Sequence, residues 1–122
     1  MSKKVLIVED DPKNLKLAIM TLKSHDYELI YAVDGEEAIS TALSEKPDII
    51  LMDMQLPKIS GIDATKHIRE YPDFAKIPIL ALTAYAMKGD EDKYIDAGCT
   101  AYMSKPINTR ELPVKVAELL GE

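Results

Sequence analysis

Residues 48–57 read DIILMDMQLP, and the build of that run decides the fold. From Ile49 to Met52 four large apolar side chains follow one another with nothing polar between them. A strand with one wet face alternates apolar and polar residues, whereas a strand covered on both faces does not. The run therefore reads as an inner strand of a parallel sheet packed between helices. It ends on an acid, Asp53.

The same texture recurs outward from there. Strand-length apolar runs occupy residues 5–8, 28–32, 48–52, 77–82 and 100–103, and the first, third and fourth are apolar nearly throughout. Helical spacing fills the gaps. Leu15, Ala18, Ile19 and Leu22 fall on one stripe, Ala38, Ile39, Ala42 and Leu43 on a second, and Leu112, Val116, Leu119 and Leu120 on a third. Asp11 before Pro12 reads as an N-cap with proline in the first turn, Ser60 with Asp63 as a capping-box variant, and Gly98 as a helix stop. Pro113 falls inside the last helical stripe, so that helix is expected to begin late, near Arg110, or to be kinked. Strands alternating with helices five times predict an α/β fold, a doubly wound parallel five-stranded sheet of (βα)5 type.

Bulk properties narrow the function. A chain of 122 residues, 47% hydrophobic, suits one domain over residues 1–122 with its own core. Its net charge of −6, without a basic block, argues against direct DNA binding. The N-terminal apolar run is four residues long, too short for a signal peptide, and no run is long enough to cross a bilayer. The lone Cys99 excludes an internal disulfide and fits a reducing cytoplasm, the expected location. Met1 and the ending after Leu120 favour a natural single domain.

In such a sheet, reactive groups gather beyond the carboxyl ends of the strands. Glu9, Asp10 and Asp11 follow the first strand, Asp53 ends the third, Thr83 follows the fourth and Lys105-Pro106 the fifth. Clustered carboxylates repel unless a cation intervenes, and an all-oxygen set suits Mg²⁺. Asp10, Asp53 and the backbone carbonyl of Gln55 would form a half-shell, while Asp11 is read as a cap. Asp53 is then placed as a nucleophile toward a phosphoryl group, with Mg²⁺, Lys105 and the Thr83 hydroxyl each covering one phosphoryl oxygen. His25 and His67 lack partners at ligand spacing, Cys99 reads as a small buried residue, and the methionines read as core.

Four runs in this order, VLIVEDDP at 5–12, LMDMQLP at 51–57 with Ser60-Gly61, PILALTA at 78–84 and YMSKP at 102–106, resemble the response regulator receiver domain, the CheY-like family. The resemblance spans nearly the whole chain and is similar to single-domain members and to receiver modules of hybrid histidine kinases. It implies a flavodoxin-like sheet of order 2-1-3-4-5, Asp53 as phospho-acceptor, and Asp10 and Asp53 as direct Mg²⁺ ligands with Glu9 acting through water. It further implies Thr83 and Tyr102 as a switch pair, and Lys105 holding phosphate beside a cis peptide bond to Pro106. The implied donor is a histidine kinase or a histidine phosphotransfer protein, docking near Asn14, Leu15 and Pro106. Output would go to a protein partner through the helix 4–strand 5–helix 5 face, with self-phosphorylation and self-dephosphorylation as the only enzymatic chemistry.

Gln55 and Tyr85 occupy positions that govern access of hydrolytic water in receivers, and a bulky Tyr85 predicts slow self-dephosphorylation. The rival reading is a phosphohydrolase resembling the haloacid dehalogenase group. It requires a second acid two residues after the nucleophile, where this chain has Gln55. No glycine-rich phosphate loop supports nucleotide binding.

Overall fold

Texture and position agree: in a computed structural model, which describes residues 2–84 and 90–122, the strand Ile49–Asp53 is buried at every residue. It is β3 of the series β1 (Lys3–Val8), α1 (Pro12–Lys23), β2 (Tyr27–Ala32), α2 (Gly35–Glu45), β3, α3 (Gly61–Arg69), a 3-10 turn (Pro72–Phe74), β4 (Ile79–Thr83), α4 (Asp90–Ala97), β5 (Ala101–Ser104) and α5 (Glu111–Leu120). All pairings are parallel and the order is β2-β1-β3-β4-β5. The Tyr85 expectation lies outside the described residues.

Alternate side chains of the inner strands feed two cores. Leu6, Val8, Ile50, Met52, Ile79 and Ala81 meet Ala38 and Ala42 of α2, Ala64 and Ile68 of α3 and Tyr94 of α4. Val5, Ile7, Ile49, Leu51, Leu80 and Leu82 meet Ala18 and Leu22 of α1 and Leu112 and Val116 of α5. Each fully buried Leu or Ile contributes roughly 1.5–3 kcal/mol, so inner strands covered on both faces concentrate the stabilising area.

β3 ends on Asp53 as read from the sequence, whereas β4 runs one residue further than expected and ends on Thr83 itself. Ladder bonds continue past both ends, from Met54 N–H to Leu82 O and from Lys105 N–H to Thr83 O. Asp48 lies outside β3, where its carboxylate accepts from the Lys4 N–H at 2.7 Å. Thr100 lies outside β5 and accepts the Ile79 N–H at 3.0 Å.

Caps behave largely as the sequence indicates. The Asp11 side chain accepts from Lys13 N–H and that of Ser60 from Asp63 N–H. Gly98, at φ +116°, closes α4 in the left-handed region that glycine reaches without a Cβ clash. Asn108 accepts from the amides of Arg110 and Glu111, and its carbonyl accepts from Leu112 N–H. Pro113 has no N–H to extend that turn, so the regular helix is counted from Glu111 with proline in its first turn. At the far end of α3, Arg69 donates to Gly98 O (2.9 Å), Phe74 O (2.7 Å) and Thr100 Oγ1 (3.4 Å).

Candidate functional site

Sheet register brings the chemistry together. Val8 pairs with Met52, so the next residues, Glu9 and Asp53, stand level at the carboxyl edge between β1 and β3. This is where the strand order reverses and α/β sheets open a crevice. Thr83 pairs with Ser104, which puts Lys105 one step beyond on the neighbouring side.

The lysine bridges two acids. Lys105 Nζ lies 2.9 Å from Glu9 Oε1 and 3.0 Å from Asp53 Oδ1. Glu9 and Asp53 are only 2% and 1% exposed, whereas Asp10 is exposed beside them. Burial pushes the Glu9 carboxyl up to about 7, and the neighbouring Asp53 adds to the rise; Lys105 and the Asp11 N–H work against it. Burial by itself would lower Lys105, but its bonds to Glu9 and Asp53 outweigh that and hold the ammonium above its ordinary value. The Lys105–Pro106 peptide bond is cis.

One carboxylate oxygen from each of Glu9, Asp10 and Asp53 lies within 4.8 Å of the others. Glu9 Oε1 is buried, with lysine charge beside it but no aligned hydrogen bond among the described residues. Among the described residues three carboxylates face one ammonium, and every donor of the carboxylate cluster is oxygen. That set fits a hard divalent cation and does not resemble the nitrogen and sulfur sets of zinc sites.

Gln55 does more than its sequence position indicates. Its N–H donates to Asp53 Oδ1 at 2.9 Å. Its side chain spans to β4: Nε2 donates to Thr83 Oγ1 (3.0 Å), and Oε1 accepts from Ala84 N–H (3.0 Å). Thr83 is fully buried and shares a 2.7 Å hydrogen bond with the Tyr94 hydroxyl of α4. Tyr102 is half-buried and donates to Glu91, also on α4; that bond and the carboxylate's charge raise the phenol's pKa. Reading strand ends locates Glu9, Asp10, Asp53, Thr83 and Lys105. Glu91 and Tyr94 escape it because they depend on how α4 packs against α3 and β5, and the Gln55 side-chain bridge because it depends on how the loop after β3 meets the end of β4.

Close approach fixes the loop after β3. A Cβ on Gly61 would stand 2.2 Å from the Asp53 carbonyl oxygen, so only glycine lets α3 begin against that backbone.

The fold and site define a class: a flavodoxin-like α/β domain with three acids and a lysine gathered at the switch point of its sheet. The chain belongs to the response regulator receiver domain family, whose model matches residues 5–117. The polar-differentiation response regulators DivK of Brucella anthropi and of Brucella ovis are each 42% identical to it over 122 residues, covering 100% of this chain and 99% of theirs. Among solved structures, the receiver domain of sensor histidine kinase PA1611 from Pseudomonas aeruginosa, with magnesium coordinated in its active site cleft, has TM-score 0.92 at 34% identity and full coverage of both chains. Chemotaxis response regulator CheY4 of Vibrio cholerae has TM-score 0.93 at 28% identity, covering 98% of this chain and 99% of that one. Receiver domains are switches of two-component signalling, working with histidine kinases and downstream partners, and are not enzymes in the ordinary sense. Among the described residues no helix is long and apolar enough to cross a membrane.

Proposed function

We propose that residues 1–122 act as a single-domain response regulator that accepts a phosphoryl group on Asp53 from the phosphohistidine of a kinase or phosphotransfer protein. The observation that carries this reading is the buried Asp53 carboxylate, in contact with Lys105 and flanked by Glu9 and Asp10. Asp10, Asp53 and the Gln55 carbonyl would hold Mg²⁺ directly and Glu9 through water; once bound, the ion offsets the acids and polarises a phosphoryl oxygen.

The chain's own residues then do the rest. A carboxylate oxygen of Asp53 attacks phosphorus, the phosphorus–nitrogen bond of the donor breaks, and the imidazole nitrogen keeps the electron pair and takes a proton. Lys105 exchanges carboxylate contacts for a phosphoryl oxygen, and the Thr83 hydroxyl donates to another. Tyr102 turns as Thr83 shifts, which alters the face formed by α4, β5 and α5 toward a protein partner. The lone, buried Cys99 fits work in the reducing cytoplasm.

Intact mass after incubation with Mg²⁺ and a small acyl phosphate tests the reading. Wild type is expected to gain one phosphoryl group and Asp53→Asn none. A wild-type chain that gains no mass overturns the assignment.

A further inference from the structure

We infer that Tyr94 is a positioning residue for Thr83, and that its hydroxyl couples the acceptor pocket to α4. The inference rests on the reading of Asp53 as acceptor and Thr83 as the hydroxyl that meets the phosphoryl group.

Thr83 Oγ1 has one hydrogen to give and two lone pairs. Gln55 Nε2 donates to it at 3.0 Å, and the Tyr94 hydroxyl is bonded to it at 2.7 Å. When Thr83 gives its hydrogen to a phosphoryl oxygen, it can no longer give it to Tyr94. The phenol must then be the donor, following Thr83 as it moves, or release it. Space exists for release: a cleft of about 300 Å³ is lined by Met54, Gln55, Ile62, Asp90, Lys93 and Tyr94 itself. Three residues earlier on α4, Glu91 accepts from Tyr102. Residues three apart share a helix face, so one face of α4 holds both hydroxyls of the switch pair, Thr83 through Tyr94 and Tyr102 through Glu91. A shift of Thr83 thus reaches α4 directly, by a route separate from the Tyr102 ring.

Tyr94→Phe removes only the oxygen and keeps the ring that fills the core. Released from Tyr94, Thr83 is expected to meet the phosphoryl group more readily, raising self-phosphorylation by an acyl phosphate at least about threefold. The same substitution in a Thr83→Ala background should change nothing, whereas in Thr83→Ser, which keeps the hydroxyl, the gain should persist. Amide hydrogen exchange without metal or phosphodonor gives a second readout: α4 should exchange faster in Tyr94→Phe, and no faster in the double variant with Thr83→Ala than in Thr83→Ala alone. Circular dichroism verifies that each variant is folded. An unchanged or lowered rate in Tyr94→Phe, or an equal effect with and without the Thr83 hydroxyl, overturns the inference. A wild-type chain that is never phosphorylated sinks the acceptor reading instead, and the exchange arm still decides whether Tyr94 and Thr83 are coupled.

Discussion

Asp53 closes a strand that hydrophobic texture alone picks out, which is why it, Glu9, Asp10, Thr83 and Lys105 could be found from chain order. Each is a polar residue at or just past the carboxyl end of a strand, and a parallel sheet carries such ends to one edge. Tyr94 offered no comparable signal, since an aromatic on a helical stripe reads as core filling and its hydroxyl partner comes from another element. Asp10 is exposed and makes none of the acceptor's direct contacts, so Asp10→Asn is expected to leave the fold intact while abolishing stabilisation by Mg²⁺; melting with and without the ion checks this. Cys99, 4% exposed, is the opposite kind of residue. Burial raises its thiol pKa despite the opposing Thr65 hydroxyl and Arg69 charge, so less thiolate forms near pH 8 than for a free cysteine. Its alkylation in the native protein should be slow and should rise by orders of magnitude in denaturant.

At the scale of elements, what the sequence reveals depends on how local the cause is. Asp11 with Pro12 and Ser60 with Asp63 declare their helix starts within four residues. Asn108 does not, because the proline that displaces the counted start of α5 lies five residues later. Asn108 serves several backbone groups of that turn, and Asn108→Ala is expected to cost about 1 kcal/mol in urea unfolding. Gly61 is a harder constraint. A methyl placed against the Asp53 carbonyl must displace backbone, so Gly61→Ala should lose about 3 kcal/mol and weaken phosphorylation together with stability. A variant as stable as wild type would show that the loop has room to move.

The whole molecule is legible to the extent that it is layered. Apolar runs without alternation require helices on both sides, and the cores on the two sheet faces meet that requirement. Periodicity does not order the strands; the order came from the family resemblance, and the register that levels Glu9 with Asp53 came from the fold itself. Because acids crowd that edge, an ion that binds only the folded state should raise the melting temperature of the whole domain. At a hundredfold excess over its Kd, Mg²⁺ would contribute about 2.7 kcal/mol. Calcium and sodium chloride at equal ionic strength separate binding from screening.

Arg69 gives this architecture a lopsided helix. Among the described residues, its guanidinium moors the tail of α4, at Gly98, to the end of α3 and to the turn at Phe74, whereas side-chain bonds nearer the head run through Glu91 and Tyr94. A rod pinned at its stern and leashed at its bow swings rather than slides. Displacement of α4 should therefore grow with distance from Ala97, being largest where the helix begins at Asp90. Cutting the mooring with Arg69→Ala should blunt that gradient, turning a directed swing into a loosening of the entire helix.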